Sequence, residues 1–185
     1  MEHASINSSI NLSEHLTLSS EAALGHLSEL NGSRLSPHFT LGELCKTSVN
    51  SLEGNIPGRE EIENLKRLCP WLEELRYRYN QRYVCCEEEN TEEPIIISSG
   101  FRSAEVNKCV GGAYSSNHLT GCAVDIRCVG IEQVLRYAVI LMDYADETKQ
   151  DYDELLIERN RHGRYWVHFA VRSKDNRRKT MFLMI

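Results

Sequence analysis

"SSNHLTGCAVDI", from Ser115 to Ile126, runs a polar turn into a short, half-buried strand. It carries a histidine and an aspartate, His118 and Asp125, seven residues apart with small residues between them. Two readings are open at this point. The stretch is ordinary loop-to-strand chemistry, or it holds two ligands of a metal.

Working outward, "PIIISSG" from Pro94 is short, β-branched and continuous, which predicts a buried strand upstream. Residues 131–145 return to helical periodicity. "DYDELLIE" and "RYWVHFAV" read as two strands joined by the turn "RNRHGR", a hairpin, and "KTMFLMI" as a last strand closing the sheet. Further upstream, Ile62, Leu65, Leu68, Leu72 and Leu75 fall three and four apart, predicting a core-facing helix from about Arg59 to Tyr79. Pro70 is expected to bend that helix or split it. Thr40 in "HFTLGELCKTS" caps a short helix through Glu43. "EEENTEE" at 87–93 is a solvated acidic connection. Helices with a small antiparallel sheet give an α+β class.

Residues 1–35 read as an N-terminal extension and 36–185 as the main domain. Within the extension, 1–17 is Ser/Asn-rich and disordered by composition. A short helix follows, with Ser20 as cap, Ala23, Leu24, Leu27 and Leu30 along one stripe and Gly32 as stop.

At 185 residues, the chain suits one domain with a real core. It is 41% hydrophobic and 26% charged, ordinary for a soluble protein. A net charge of -6 argues against a broad nucleic-acid footprint, although "RSKDNRRK" is locally basic. No apolar run approaches the ~20 residues that span a bilayer. The first residues lack a basic start followed by an apolar block, so no signal peptide is expected. Seven cysteines without a CxxC pair favour free thiols and a cytoplasmic origin.

A catalytic zinc site takes three protein ligands and leaves a fourth position for water. His118, Asp125 and His168 are the candidates, His168 lying in "YWVHFAV" on one face with Trp166 and Ala170. Taken singly, His168 reads as a satisfied core histidine and Asp125 as a strand-end carboxylate. Taken together, "SGFRSAEVN" (Ser99–Asn107), "SSNHLTGCAVDI" and "ELLIERNRHGRYWVHFA" recur in an informative order. They resemble the zinc-dependent D-alanyl-D-alanine peptidases, which include D-Ala-D-Ala carboxypeptidases and dipeptidases and the L-alanyl-D-glutamate endopeptidases of phage. The matching pattern is SGYRS-x-x-x-N, then S-x-H-x-x-G-x-A-x-D, then W-x-H. Ser116, His118, Gly121, Ala123, Asp125, Trp166 and His168 fill it over roughly residues 37–171. "HFTLGEL" and the "VGG" at 110–112 look like the phage and prophage branch.

The resemblance implies a hedgehog/DD-peptidase fold and one Zn2+ held by His118, Asp125 and His168. It also implies substrate contacts from Arg102 and Ser116, although Ser116 as a cap on the turn before His118 reads almost as well. Gly121 would turn the backbone between two ligands, and Ala123 would keep the space beside the metal clear. Cys122 and Cys128 read as small buried hydrophobes rather than thiolate ligands.

The general base is the departure. Many relatives carry Asp or Glu three residues before the final histidine, where this chain has Tyr165. Glu158 in "ELLIE" is the replacement, with Glu154 next and His162 third. If 159–164 is the loop, Glu158 stands opposite Tyr165, and a slip of one residue reverses that placement.

The expected function is hydrolysis within peptidoglycan stem peptides, of D,D-carboxypeptidase or endopeptidase type. The implied partner is the cell-wall peptide, with no nucleic acid and no membrane. A chain without a signal peptide would reach the wall only after release or lysis, which fits an endolysin-like phage role. The alternative is a non-catalytic, zinc-containing wall-binding or virion module of the same fold.

Overall fold

Phe39, Leu41 and Leu44 are buried where the described domain begins, and Thr40 fixes the helix between them. The computed structural model describes residues 32–51, 54–84 and 91–185. The expected N-terminal helix, but for Gly32, and the 1–17 stretch lie outside the described residues, as do Cys85, Cys86 and residues 87–90 of the acidic connection. Thr40 Oγ1 accepts from Glu43 N at 3.3 Å, and Thr40 N donates to Glu43 Oε2 at 3.0 Å. This capping box starts α1 (Leu41–Leu44) where the sequence places it. The chain is tied down slightly before residue 36, because Leu41 N donates to Ser33 O at 2.8 Å.

Helix α2 (Arg59–Tyr79) buries Leu65, Leu68, Leu72 and Leu75, with Ile62 at the edge of the core. Pro70 lies inside this helix and does not split it. Trp71, Leu72 and Leu75 are buried just beyond the proline, and that packing offsets the ~3 kcal/mol a helix-interior proline costs. A π-helical turn, Asn80–Val84, follows.

The sheet has the order β1-β2-β4-β3-β5. Its strands are β1 (Ile97–Ser99), β2 (Ala123–Cys128), β3 (Glu154–Arg159), β4 (Tyr165–Ala170) and β5 (Lys179–Met184). Between them lie α3 (Ala104–Cys109), a 3-10 turn (Asn117–Thr120) and α4 (Gly130–Thr148). The α+β class stands, but the expected antiparallel sheet is mixed, because β5 pairs with β3 in parallel. The reason is a crossing. Residues 171–178 carry the chain from the end of β4 past the start of β3, where Arg178 N and Lys179 N donate to Tyr152 O and Asp153 O. The chain then descends the outer edge of β3 in the same direction as β3 itself. β1 is also shorter than "PIIISSG" suggests, since Ile95 and Ile97 are buried while Ile96 faces out.

The hairpin register differs by one residue from the expected one. Arg159 pairs with Tyr165 and Glu158 with Trp166, so the loop is 160–164. Asn160 closes it: its Oδ1 accepts from His162 N and Arg164 N, each at 3.0 Å. The consequence is a change of face. Val167, Phe169, Leu155, Val124 and Ile126 point into the core, where Phe169 packs on Trp71 with ring centroids 5.2 Å apart. Asp125, Arg127, Trp166, His168, Glu154 and Glu158 alternate to the other face. Helices α2 and α4 cover the first face; the second carries the site. Cys45, Cys69, Cys109, Cys122 and Cys128 are free thiols. No helix among the described residues is long and apolar enough to cross a membrane.

Candidate metal centre

Local chemistry explains how "SSNHLTGCAVDI" becomes a rigid ligand holder. Ser116 Oγ accepts from His118 N at 3.3 Å and caps the 3-10 turn. Gly121 ends the turn at φ 69°, and a Cβ there would meet Glu61 O of α2 at 2.6 Å. Glycine is therefore required twice, for backbone angle and for space. The chain then enters β2, whose Asp125 pairs directly with His168 of β4 and with Ser99 of β1.

Three donor atoms converge. Asp125 Oδ1 lies 2.9 Å from His168 Nδ1 and 3.2 Å from His118 Nε2, and the two histidine nitrogens are 3.2 Å apart. A tetrahedral ion with ~2.0–2.1 Å bonds separates its ligand atoms by ~3.3 Å. The triangle is thus close to metal-ready dimensions. The donor set of two imidazoles and one carboxylate suits zinc. All three residues are buried, and they form a possible metal-holding group among the described residues.

Outer partners set the ring orientations. His118 Nδ1 faces Gly100 O at 2.6 Å, and a carbonyl only accepts, so Nδ1 carries the proton and Nε2 is free to ligate. Gly100 reaches this spot because its Cα packs on the backbone of Leu44, with no room for a side chain. His168 Nε2 faces Glu154 Oε2 at 3.6 Å, which leaves Nδ1 for the metal. Burial resists charging of His168, yet its hydrogen bonds to Asp125 and Glu154 push it up to about 9. Burial also resists ionisation of Asp125, but the His118 and His168 imidazoles outweigh it and hold the carboxyl well below its usual range.

Glu154 is fully committed to neighbours. Its Oε2 accepts from Asn117 Nδ2 at 3.1 Å, and its Oε1 accepts from Lys179 Nζ at 3.1 Å and sits 3.1 Å from Arg177 Nη2. His168 above all, with Lys179, holds its carboxyl down at about 2. Behind it, fully buried Asp153 accepts from Asn117 Nδ2 at 2.8 Å and from Arg177 Nη2 at 2.7 Å. Burial alone would raise Asp153, but Arg177 and Asn117 keep it at about 2. Asn117, Asp153, Arg177 and the Gly100 carbonyl went unnoticed in the sequence. Only Asn117 and Gly100 had a cue there, Asn117 as the neighbour of His118 and Gly100 as the glycine of the SGFRS block.

Glu158 stands on the metal face opposite Trp166, two residues along β3 from the partner of His168, or ~7 Å. Burial and the Asp125 charge raise its carboxyl, against His168, Trp166 and Arg102. Tyr165 turns to the opposite face, where it packs on the core with Arg159 over its ring at 5.5 Å. His162 is exposed in the hairpin loop beside Arg161. Arg102 bonds Asp125 Oδ2 through Nη2 and Ser99 Oγ through Nε at 2.8 Å. The structure thus brings together His118, Asp125, His168, Glu154, Glu158 and Arg102, and it leaves Ser116 capping the turn and His162 outside.

A buried histidine–aspartate–histidine set beside a half-buried carboxylate is the donor set of a metal-dependent hydrolase. The chain belongs to the peptidase M15 family, whose model matches residues 37–142. Peptidases of this family are zinc-dependent and take peptide substrates. The matched stretch contains His118 and Asp125, while His168, Glu154 and Glu158 lie beyond it. No curated protein matches the chain.

Proposed function

We propose that the chain is a zinc metallopeptidase that hydrolyses peptide bonds in peptidoglycan stem peptides, as a D,D-carboxypeptidase or endopeptidase. Its ligands are His118, Asp125 and His168. The observation that carries the reading is the triangle of donor atoms, 2.9 to 3.2 Å on a side, on the sheet face that also bears Glu158. Bound zinc supplies a Lewis acid that acidifies water and polarises a carbonyl.

Glu158 is the general base. It takes a proton from the attacking water and passes it to the leaving amine. Its raised affinity for protons suits both transfers better than Glu154, whose oxygens are already held by cations and amides. Glu154 instead orients His168. Arg102 stiffens Asp125 and, among the described residues, leaves its Nη1 group for a substrate carbonyl or carboxylate. Ser116 caps the His118 turn, and its substrate contact in this reading rests on the family resemblance alone. A non-catalytic module would call for a fourth protein donor, and the group among the described residues has three. A role in phage lysis, after release of the enzyme from the cytoplasm, accords with the family branch that the sequence resembles.

The test is digestion of purified peptidoglycan by zinc-loaded protein, with and without chelator, read by mass spectrometry. Release of D-alanine or of cut stem peptide that stops with chelator supports the proposal and names the bond. Intact wall from protein that retains zinc overturns it.

Glu154→Gln keeps the shape and removes the charge opposite His168 Nε2. Zinc affinity is expected to fall ~10–100-fold, the range for loss of an outer partner. Competition against a chromophoric chelator measures it.

A further inference from the structure

From the metal triangle a cleft of about 680 Å³ runs along β2 and β4 to the hairpin loop. Asp125 stands at its inner end, Arg127 and Trp166 line its middle as cross-strand neighbours, and Arg164 guards its mouth with Asn160. Arg127 is two residues from Asp125 on the same face, or ~7 Å along the strand, and Arg164 is a further step out. Both arginines are exposed, and neither has an acidic partner among the described residues. Several other arginines of the chain are paired instead. The chain carries a net charge of -6, and Arg78, Arg136, Arg177 and Arg178 are all paired with carboxylates. Here two guanidinium groups face open space beside an indole, and the one acid lining the cleft is the metal ligand Asp125.

We infer that this cleft is a substrate subsite for a carboxylate borne on a branch or side chain of the peptide, about one to two residues from the bond that is cut. The inference rests on the peptidase reading and names the substrate class within it: acidic peptides over their amidated counterparts. Guanidinium forks bind carboxylates through paired charge-assisted hydrogen bonds. A terminal carboxylate would end the substrate at Arg127, whereas the cleft continues to Arg164 and opens to solvent. The internal carboxylate is therefore the source assigned.

The test uses stem-type peptides that differ only in whether the internal D-glutamyl residue carries a free carboxylate or a carboxamide. A third peptide keeps the internal carboxylate and has an amidated C-terminus. kcat/KM is measured on zinc-loaded wild type, Arg127→Gln and Arg164→Gln. Dissociation constants are measured on zinc-loaded Glu158→Gln alone and combined with each arginine substitution. The expected result is roughly a tenfold preference or more for the free internal carboxylate, kept in the third peptide. Each arginine substitution should remove most of it through KM, with kcat and the carboxamide peptide little changed. Equal rates and affinities for acid and amide, or variants that weaken both alike, overturn the subsite while leaving the peptidase intact. A preference that vanishes in the third peptide overturns the internal source in favour of the terminus. An arginine-dependent binding preference without any hydrolysis upholds the subsite and sinks the peptidase reading.

Discussion

Glu158→Gln is expected to lower kcat by ~10²–10⁴, the range for loss of a positioned general base, with zinc content unchanged. The amide matches the carboxylate in shape but accepts no proton at neutral pH. Because the group works on the water and the leaving amine rather than on ground-state binding, KM should move little. The pH profile supplies a second signature. Burial raises the Glu158 carboxyl, so the acid limb of the wild-type rate should lie above the ~4.3 of an unperturbed glutamate and vanish in the variant. Stability should move the other way. A carboxyl whose folded pKa is raised is favoured by folding only while protonated, and it costs stability once pH exceeds its unfolded value. At pH 7 the Gln variant should melt no lower than wild type, which a thermal melt reads directly. A variant that loses zinc or unfolds would remove Glu158 from the role of base.

His168→Ala should abolish zinc binding at stoichiometric metal, and hydrolysis with it. The loss is larger than for Glu154→Gln, because a ligand rather than its support is removed. It also leaves Glu154 and Asp125 facing each other's charge across a gap. The fold should survive, since the core face of β4 is carried by Val167 and Phe169. Metal analysis after dialysis, alongside far-UV circular dichroism, separates the two effects. Retained zinc at one ion per chain would exclude His168 as a ligand.

Some of this architecture was plain in the residues. The leucines of α2 and the alternation in "YWVHFAV" each follow from a single local period, so helix, strand and faces could be read directly. The proposed ligand trio was legible as a candidate because two of its members share one turn-and-strand unit and the third lies in a strand of clear alternation. Long-range geometry was not. Nothing local to "KTMFLMI" says that its neighbour is β3 or that the pair runs parallel, because that follows from where 171–178 crosses. The hairpin register turned on Asn160, whose side chain shortens the loop and moves Glu158 onto the metal face. The split that Pro70 allowed did not occur, since the burial around Trp71 outweighs a local penalty. The clamp on Glu154 was invisible for a similar reason, as Asn117 on one side and Arg177 and Lys179 on the other come from two distant parts of the chain.

The bond between Arg102 and Asp125 bears on which ion the protein can keep. With Oδ2 engaged by the guanidinium, Asp125 presents a single oxygen to the centre, beside two nitrogens. Calcium seeks six to eight oxygens and often takes both from one carboxylate, while magnesium demands an octahedron of oxygen and water. Neither is satisfied by one oxygen and two imidazoles. Zinc and its late first-row neighbours are. If the three side chains hold the proposed ion, discrimination against the abundant alkaline-earth ions rests in part on an arginine that does not itself bind the metal.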